Sequence, residues 1–347
     1  MRVAMDGIVY GNNFSGGIAR YWTEVLRAII RLELPIHLDL VVPPAAHWPE
    51  GLPCRTSGRL LTSLAVARSD VFHTSYYTRW PRLKCPSVVT AYDFIDASFP
   101  LLHPNGEEFV EWQFDAIRKA SAVITISKTT RDLAMELSGI DPARVFVAYP
   151  AVAEPFSMLL PEEEEIRRFR KEQTGGAPYL VHIGNRRNYK NFRTILKAFC
   201  QAAPSMDRHL LILGGRQPLA EDETHWVFSA RLQDRIHFQP WVDDAMLRHA
   251  YAGADALVSA SLMEGFGIPV IEALACGTGL ILSDIPVYRE IAEGHATFIE
   301  AANVEAWEQA MKEEIHVHPS WRDEVLNQYT WEATARVHME AYKSVLK

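Results

Sequence analysis

Two carboxylates, Glu264 and Glu272, frame the glycine-rich stretch Glu-Gly-Phe-Gly-Ile-Pro-Val-Ile-Glu. The apolar, β-friendly run Ala254–Ser261 comes immediately before, which puts Glu264 just past the carboxyl end of a buried strand. Gly265 and Gly267 permit a tight backbone and the close approach of a ligand. Pro269 suits the first turn of a helix, where its missing N–H costs nothing, and the helix it opens should run to about Ala275 and stop at Gly277. The backbone N–H groups around Phe266, Gly267 and Ile268, with the positive end of the helix dipole, would then make an anion site beside Glu264. An anion held by the turn and hydroxyls gripped by the flanking carboxylates would be the two halves of a site for a phosphorylated sugar.

A second stretch could supply positive charge. Tyr179–Asn191 reads as a buried strand that ends in Gly184 and passes into a cationic loop carrying Arg186, Arg187 and Lys190. Ligands of open α/β sheets lie at the carboxyl ends of strands, so this loop is well placed for a phosphate, with Arg binding through a fork and Lys as a point charge. Leu210–Gly215 is another strand ending in glycines, where Gly214 would let a ribose or base come close. In the first half, Gly16 and Gly17 lie in a glycine-rich segment after the first strand; it is neither G-x-G-x-x-G nor a P-loop. Tyr92 and Asp93 (in Val-Val-Thr-Ala-Tyr-Asp-Phe) end a strand, and His73 ends another and is a candidate for the same cleft, although a lone histidine is more often structural.

The elements that must position these residues alternate along the chain. Short β-rich runs are expected at Arg2–Met5, His37–Val42, Val71–His73, Ser87–Tyr92, Ala122–Ile126 and Val145–Ala148. Six more are expected at Tyr179–Gly184, His209–Leu213, Ile236–Phe238, Ala256–Ser259, Gly279–Leu282 and Thr297–Ile299, with amphipathic helices such as Ile18–Leu32 between them. This is the doubly wound α/β pattern. At 347 residues two domains are the natural expectation, with a proline-bearing linker over Val152–Pro161. The run Glu162–Arg170 pairs acids with bases at helical spacing and reads as a solvated helix face.

Composition narrows the class. A 48% hydrophobic content describes an ordinary soluble protein, with no apolar run of the roughly eighteen residues needed to span a membrane. The N-terminus enters a strand directly, so no signal peptide is expected. Four scattered cysteines suit a reducing cytoplasm and offer no structural zinc site, and a net charge of −8 argues against nucleic acid as the main partner.

The spacing Glu264-x7-Glu272, with Gly-Phe-Gly-Ile-Pro inside it and Ala-Leu-Ala-Cys-Gly after it, resembles the signature of retaining GT-B glycosyltransferases, in particular family 4, the group 1 glycosyl transferases. Lys190-Asn191, six residues after Gly184, matches a second family segment; the usual Arg before that Lys is Tyr189 here, and Arg186 is the preferred substitute. The resemblance implies a GT-B fold of two Rossmann-like domains facing a central cleft: residues 1–155, acceptor-binding, with the C-terminal helix 331–347 packed back on it, and residues 162–330, donor-binding. It implies that Glu264 holds sugar hydroxyls, that Glu272 holds the ribose, and that Phe238–Val242 frames the nucleobase with Trp241 and Val242. It also implies that the Gly16-Gly17 loop reaches towards the diphosphate. Where many relatives have a histidine before the aspartate, this chain has Tyr92, a poorer base at neutral pH.

The function implied is transfer of a sugar from a nucleotide-sugar, UDP-sugar first and GDP-mannose second, to a glycan or lipid-linked acceptor in surface polysaccharide or glycolipid synthesis. Arg186, Lys190 and the amides of Phe266 and Gly267 would stabilise the departing diphosphate. No Asp-x-Asp occurs, so neither metal nor other cofactor is expected. The enzyme is expected in the cytoplasm, with at most peripheral membrane contact. A GT-B-type sugar-nucleotide 2-epimerase or hydrolase, or a silent nucleotide-sugar-binding protein, would share the same donor site.

Overall fold

The computed structural model describes the chain apart from residues 13–15, 43–51, 53–54, 57–65, 76–83, 101–105, 187, 216–217, 241 and 347. It forms two compact units, Met1–Ala151 with Tyr329–Lys347, and Val152–Gln328.

The first unit is built on a parallel sheet of β1 (Arg2–Asp6), β2 (His37–Val42), β3 (Arg55–Thr56), β4 (Val71–Ser75), β5 (Ser87–Ala91), β6 (Ala122–Thr125) and β7 (Val145–Val147), in the order β3-β2-β1-β4-β5-β6-β7. β4 and β6 are buried at every position, as strands covered on both faces must be. The helix Gly17–Arg31 buries Ala19, Tyr21, Trp22, Val25, Leu26, Ala28 and Ile29 at helical spacing. The C-terminal helix Trp331–Ser344 is capped by Thr330, whose hydroxyl accepts from Ala333 N, and it belongs to this unit. An Arg31–Glu332 ion pair and a hydrogen bond from Thr334 Oγ1 to Tyr149 O at 2.5 Å tie it down.

The second unit has β8 (Tyr179–Ile183), β9 (His209–Leu213), β10 (Ile236–Gln239), β11 (Ala256–Ser259), β12 (Gly279–Ser283) and β13 (Thr297–Ile299), all parallel, in the order β10-β9-β8-β11-β12-β13. Its core joins Leu180, Ile212, Val258 and Ile281 of the sheet to Phe192, Ile195, Leu196 and Phe199 of the helix Phe192–Ala202, with Trp307 fully buried against them. Chain order reverses at the β8–β11 pair: β9 and β10 lie to one side of β8, and β11, β12 and β13 lie to the other. Such a reversal sends successive loops apart and leaves a crevice at the carboxyl ends of β8 and β11.

Twelve expected strands are present within a residue or two of their ends; the two-residue edge strand β3 was not expected. The segment expected as a linker, Val152–Pro161, is instead part of the second unit. It contains the short helix Glu154–Ser157, buries Phe156 completely, and has the carbonyls of Phe156, Ser157 and Met158 capped by the Arg322 guanidinium. At the other boundary Tyr329 and Thr330 go with the first unit.

Candidate functional site

The crevice of the second unit is closed at its base by a bond between two loops. Leu262 N, after β11, donates to Tyr189 O, after β8, at 2.7 Å. Lys190 ends a short 3-10 turn, Asn188–Lys190, and Asn191 adopts a left-handed conformation (φ 50°) that turns the chain into the helix Phe192–Ala202. This geometry carries the Lys190 ammonium across the crevice to Glu264, with Nζ 2.6 Å from Oε1. Ser261 Oγ donates to the same oxygen at 2.7 Å, and Tyr288 Oη lies 3.4 Å from it and 2.8 Å from Ser259 Oγ.

Both charged side chains are mostly shielded, Lys190 to 19% and Glu264 to 11% of full exposure. Burial pulls the Lys190 pKa down, but the Glu264 charge and hydrogen bond, together with the nearby Tyr288 and Tyr189, outweigh it, and the net displacement is upward. Lys190 is therefore a fixed cation at neutral pH. His182, one strand-turn below on β8, is fully buried; burial takes its pKa down to about 4, with the Lys190 and Arg186 charges adding to the fall, while its Nδ1 lies 3.2 Å from Val258 O. It remains neutral and adds no charge to the crevice.

The turn after Glu264 behaves as its glycines require. Gly267 has φ 115° and ψ 55°, a conformation that L side chains rarely adopt, and caps the helix Ile268–Ala275 with Pro269 in its first turn. A Cβ at Gly267 would come within 2.9 Å of Tyr288 Cε1. The N-terminus of the helix thus opens beside Glu264, with Gly265 and Phe266 buried in the turn. Glu272, one helical segment on, points inward: it is 3% exposed, and its Oε2 accepts from Tyr251 Oη at 3.1 Å.

Gly184 and Gly214 also take positive φ (115° and 83°), and the ends of β8 and β9 pass backbone to backbone: a Cβ on Gly215 would sit 3.3 Å from Gly184 O. Arg186 packs against Phe238 of β10. Its guanidinium lies 4.8 Å from the Phe238 ring and 5.5 Å from the Phe192 ring, and its Nη2 donates to Pro218 O at 2.9 Å. Val242 is half-buried. Trp241 and Arg187 lie outside the described residues.

In the first unit, Gly16 (φ −81°, ψ 161°) caps the helix that Gly17 begins. Tyr92 is 2% exposed and meets Tyr21 edge-on at 5.9 Å; Asp93 is half-buried and its Oδ1 accepts from Ile95 N at 3.1 Å, opening the next turn of helix. His73, considered as a cleft residue from the sequence, is a packing residue. It is fully buried, with Nδ1 2.7 Å from Tyr342 Oη and Nε2 2.7 Å from Thr90 Oγ1, and lies under the C-terminal helix. Among the described residues no group of three or more His, Cys, Asp or Glu side chains converges as metal ligands would.

Of the residues expected at the site, the structure brings Lys190, Glu264 and the Gly265–Ile268 turn together. Sequence reasoning missed Ser259, Ser261 and Tyr288. Ser261 carried a usable signal, since it sits between a strand end and Glu264. Tyr288 lies in Ser283–Glu290, a stretch that also resembles the family, but the resemblance gave the tyrosine no role and it reaches the site through the fold.

Comparison with known proteins agrees with this architecture. A family model described as Glycosyl transferases group 1 matches residues 163–323, and one described as Glycosyltransferase Family 4 matches residues 31–154. The chain is 29% identical over 197 residues to the O-antigen chain mannosyltransferase RfbU of Salmonella typhimurium, a match covering 57% of this chain and 52% of that protein. It is 25% identical over 270 residues to the O-antigen chain mannosyltransferase B of Escherichia coli, covering 74% and 70%. The chain therefore spans about half the length of the first relative. Among solved structures, a glycosyltransferase from Rickettsia africae superposes with a TM-score of 0.73 at 18% identity, covering 100% of this chain and 98% of that one. With both halves matched in sequence and the whole chain matched in fold, the protein belongs to the group 1 glycosyltransferases of family 4, with the GT-B fold.

Proposed function

We propose that this chain transfers a sugar from a nucleotide-sugar donor to a hydroxyl of a growing surface glycan, with retention of configuration at the anomeric carbon. The observation that carries the reading is the Lys190–Glu264 pair at the crevice beside the Gly267 helix N-terminus. A fixed cation and the positive end of a helix dipole suit a diphosphate on which charge builds as it leaves. A carboxylate next to them suits sugar hydroxyls. In this reading the bond from the anomeric carbon to the diphosphate oxygen breaks and the acceptor oxygen bonds to that carbon from the same face. The acceptor proton passes to the departing diphosphate oxygen, and no divalent metal takes part.

The relatives named above are O-antigen mannosyltransferases, which favours GDP-mannose over a UDP-sugar as donor and a lipopolysaccharide-type glycan as acceptor. No helix among the described residues is long and apolar enough to cross a membrane, and a lipid-linked acceptor would be met by peripheral contact at the cytoplasmic face of the inner membrane.

A thermal-shift panel of GDP-mannose, UDP-glucose and ADP-glucose tests this, because a ligand that binds only the native state raises the melting midpoint. GDP-mannose is expected to give the largest rise, unchanged by EDTA. A rise with UDP-glucose alone overturns the donor, and no rise with any of the three overturns the site. Release of an epimer or free mannose as the main product, with acceptor present, would favour an epimerase or hydrolase.

A further inference from the structure

Tyr288 touches three parts of the site. It lies in the helix Pro286–Ala292, is 2% exposed, and its ring edge occupies the space beside Gly267, within 2.9 Å of where a Cβ would stand. Its hydroxyl is 2.8 Å from Ser259 Oγ and 3.4 Å from Glu264 Oε1. Burial, and then the Glu264 charge, push its pKa well above the ordinary phenol value, so the hydroxyl keeps its proton at every working pH. A phenol has one proton to give. With Ser259 donating to the tyrosine oxygen, that proton is directed at Glu264 Oε1.

Ser261 Oγ and Lys190 Nζ donate to the same oxygen at 2.7 and 2.6 Å. Donors from the β8 loop, the β11 loop and a helix that follows β12 thus converge on one carboxylate oxygen. None of the described residues donates a hydrogen bond to Oε2. The 3.4 Å link is the longest of the three.

We propose that Tyr288 is a positioning residue for donor activation, holding the Glu264–Lys190 pair and the Gly265–Gly267 turn in one arrangement and leaving Glu264 Oε2 as the atom offered to a sugar hydroxyl; this rests on the reading of the crevice as the donor site. The effect is kinetic. Loosening a preorganised cation costs most where charge develops, in the transition state, and little in the ground-state complex.

The test is Tyr288→Phe, which keeps the ring against Gly267 and removes only the hydroxyl. Turnover is read as nucleoside diphosphate released from GDP-mannose, and in parallel from UDP-glucose, by the full chain. The kcat is expected to fall about tenfold or more while the donor KM stays within about twofold. A kcat within twofold of wild type overturns the proposal, and so does a loss confined to KM. Ser259→Ala, which leaves Tyr288 whole, should show the same split at about threefold. It decides the matter if Tyr288→Phe melts far below wild type, since an unchanged kcat in Ser259→Ala then overturns the proposal. Lys190→Ala run alongside separates the levels. Turnover surviving there sinks the donor-site reading itself, whereas loss there with wild-type kcat in Tyr288→Phe sinks only the role of Tyr288.

Discussion

Lys190 and Glu264 are 74 positions apart in sequence, and their side chains meet at 2.6 Å across the point where the sheet of the second unit reverses its order. Each holds the other in place and each keeps the other's charge tolerable in a shielded setting. We expect Lys190→Ala and Glu264→Ala each to lower donor turnover by about a hundredfold or more, and the double variant to be no worse than either single one, because the two act as a unit. Stability should run the other way. Each single variant strands a charge and costs about 2–3 kcal/mol, discounted for partial exposure, while the double variant strands none and melts above at least one of the singles. Calorimetry on the three proteins checks this, and additive losses would refute the pairing.

The strands were legible because parallel strands covered on both faces must be short, continuous apolar runs. The turn at Gly267 was legible because only glycine accepts its backbone and proline marks the helix that follows. Glu272 shows where reading stops. It lies in a helix buried at every position from Val270 to Ala275, so periodicity could not say which way a carboxylate on it points, and it points to Tyr251. Lys190 could be placed at a strand end, but its partner could not be named from one loop. The Tyr288 contact was invisible for the same reason: pairing across strand ends is set by sheet order, which the local pattern does not encode.

Glycine positions in the second unit should separate backbone strain from crowding. Gly214→Ala meets no atom closer than 3.6 Å and bears only its positive φ, a cost of about 1 kcal/mol. Gly267→Ala adds a clash with the Tyr288 ring at 2.9 Å and Ile291 at 3.1 Å, and should cost about 2–4 kcal/mol in urea unfolding, with turnover lost. Equal costs at the two sites would show that Tyr288 yields easily.

Acid should destabilise both units. His73 and His338 in the first and His182 in the second are fully buried and neutral, with pKa values displaced downward chiefly by burial, to about 4 for His182 and His338. For His182 and His338 the unfolded chain takes up the proton near pH 6.5 and the folded chain only near 4, and the downward displacement of His73 acts in the same direction, so stability is fully present above 6.5 and is lost as pH falls through that window. His182 and His338 can each contribute about 3 kcal/mol to the loss. Melting midpoints should be flat from pH 8 to 7 and drop steeply from 6.5 to 4.5; a midpoint unchanged at pH 5 would contradict the burial of these rings.

Arg186 should separate binding from chemistry. Its guanidinium is committed to Pro218 O and to the Phe238 face on the β9–β10 side, whereas Lys190 stands at the turn with Glu264. A cation placed there steadies the end of β10 and any flat group that stacks on it, and it does not share the oxygen that holds Lys190. Arg186→Ala is therefore expected to weaken GDP binding by about tenfold in titration calorimetry while kcat at saturating GDP-mannose falls less than about threefold. Lysine should not rescue it, because an ammonium offers neither the planar face that lies over Phe238 nor the forked donors. A hundredfold fall in kcat with unchanged affinity would instead put Arg186 on the departing diphosphate beside Lys190, which would require its side chain to leave Pro218 and swing across the crevice when donor binds.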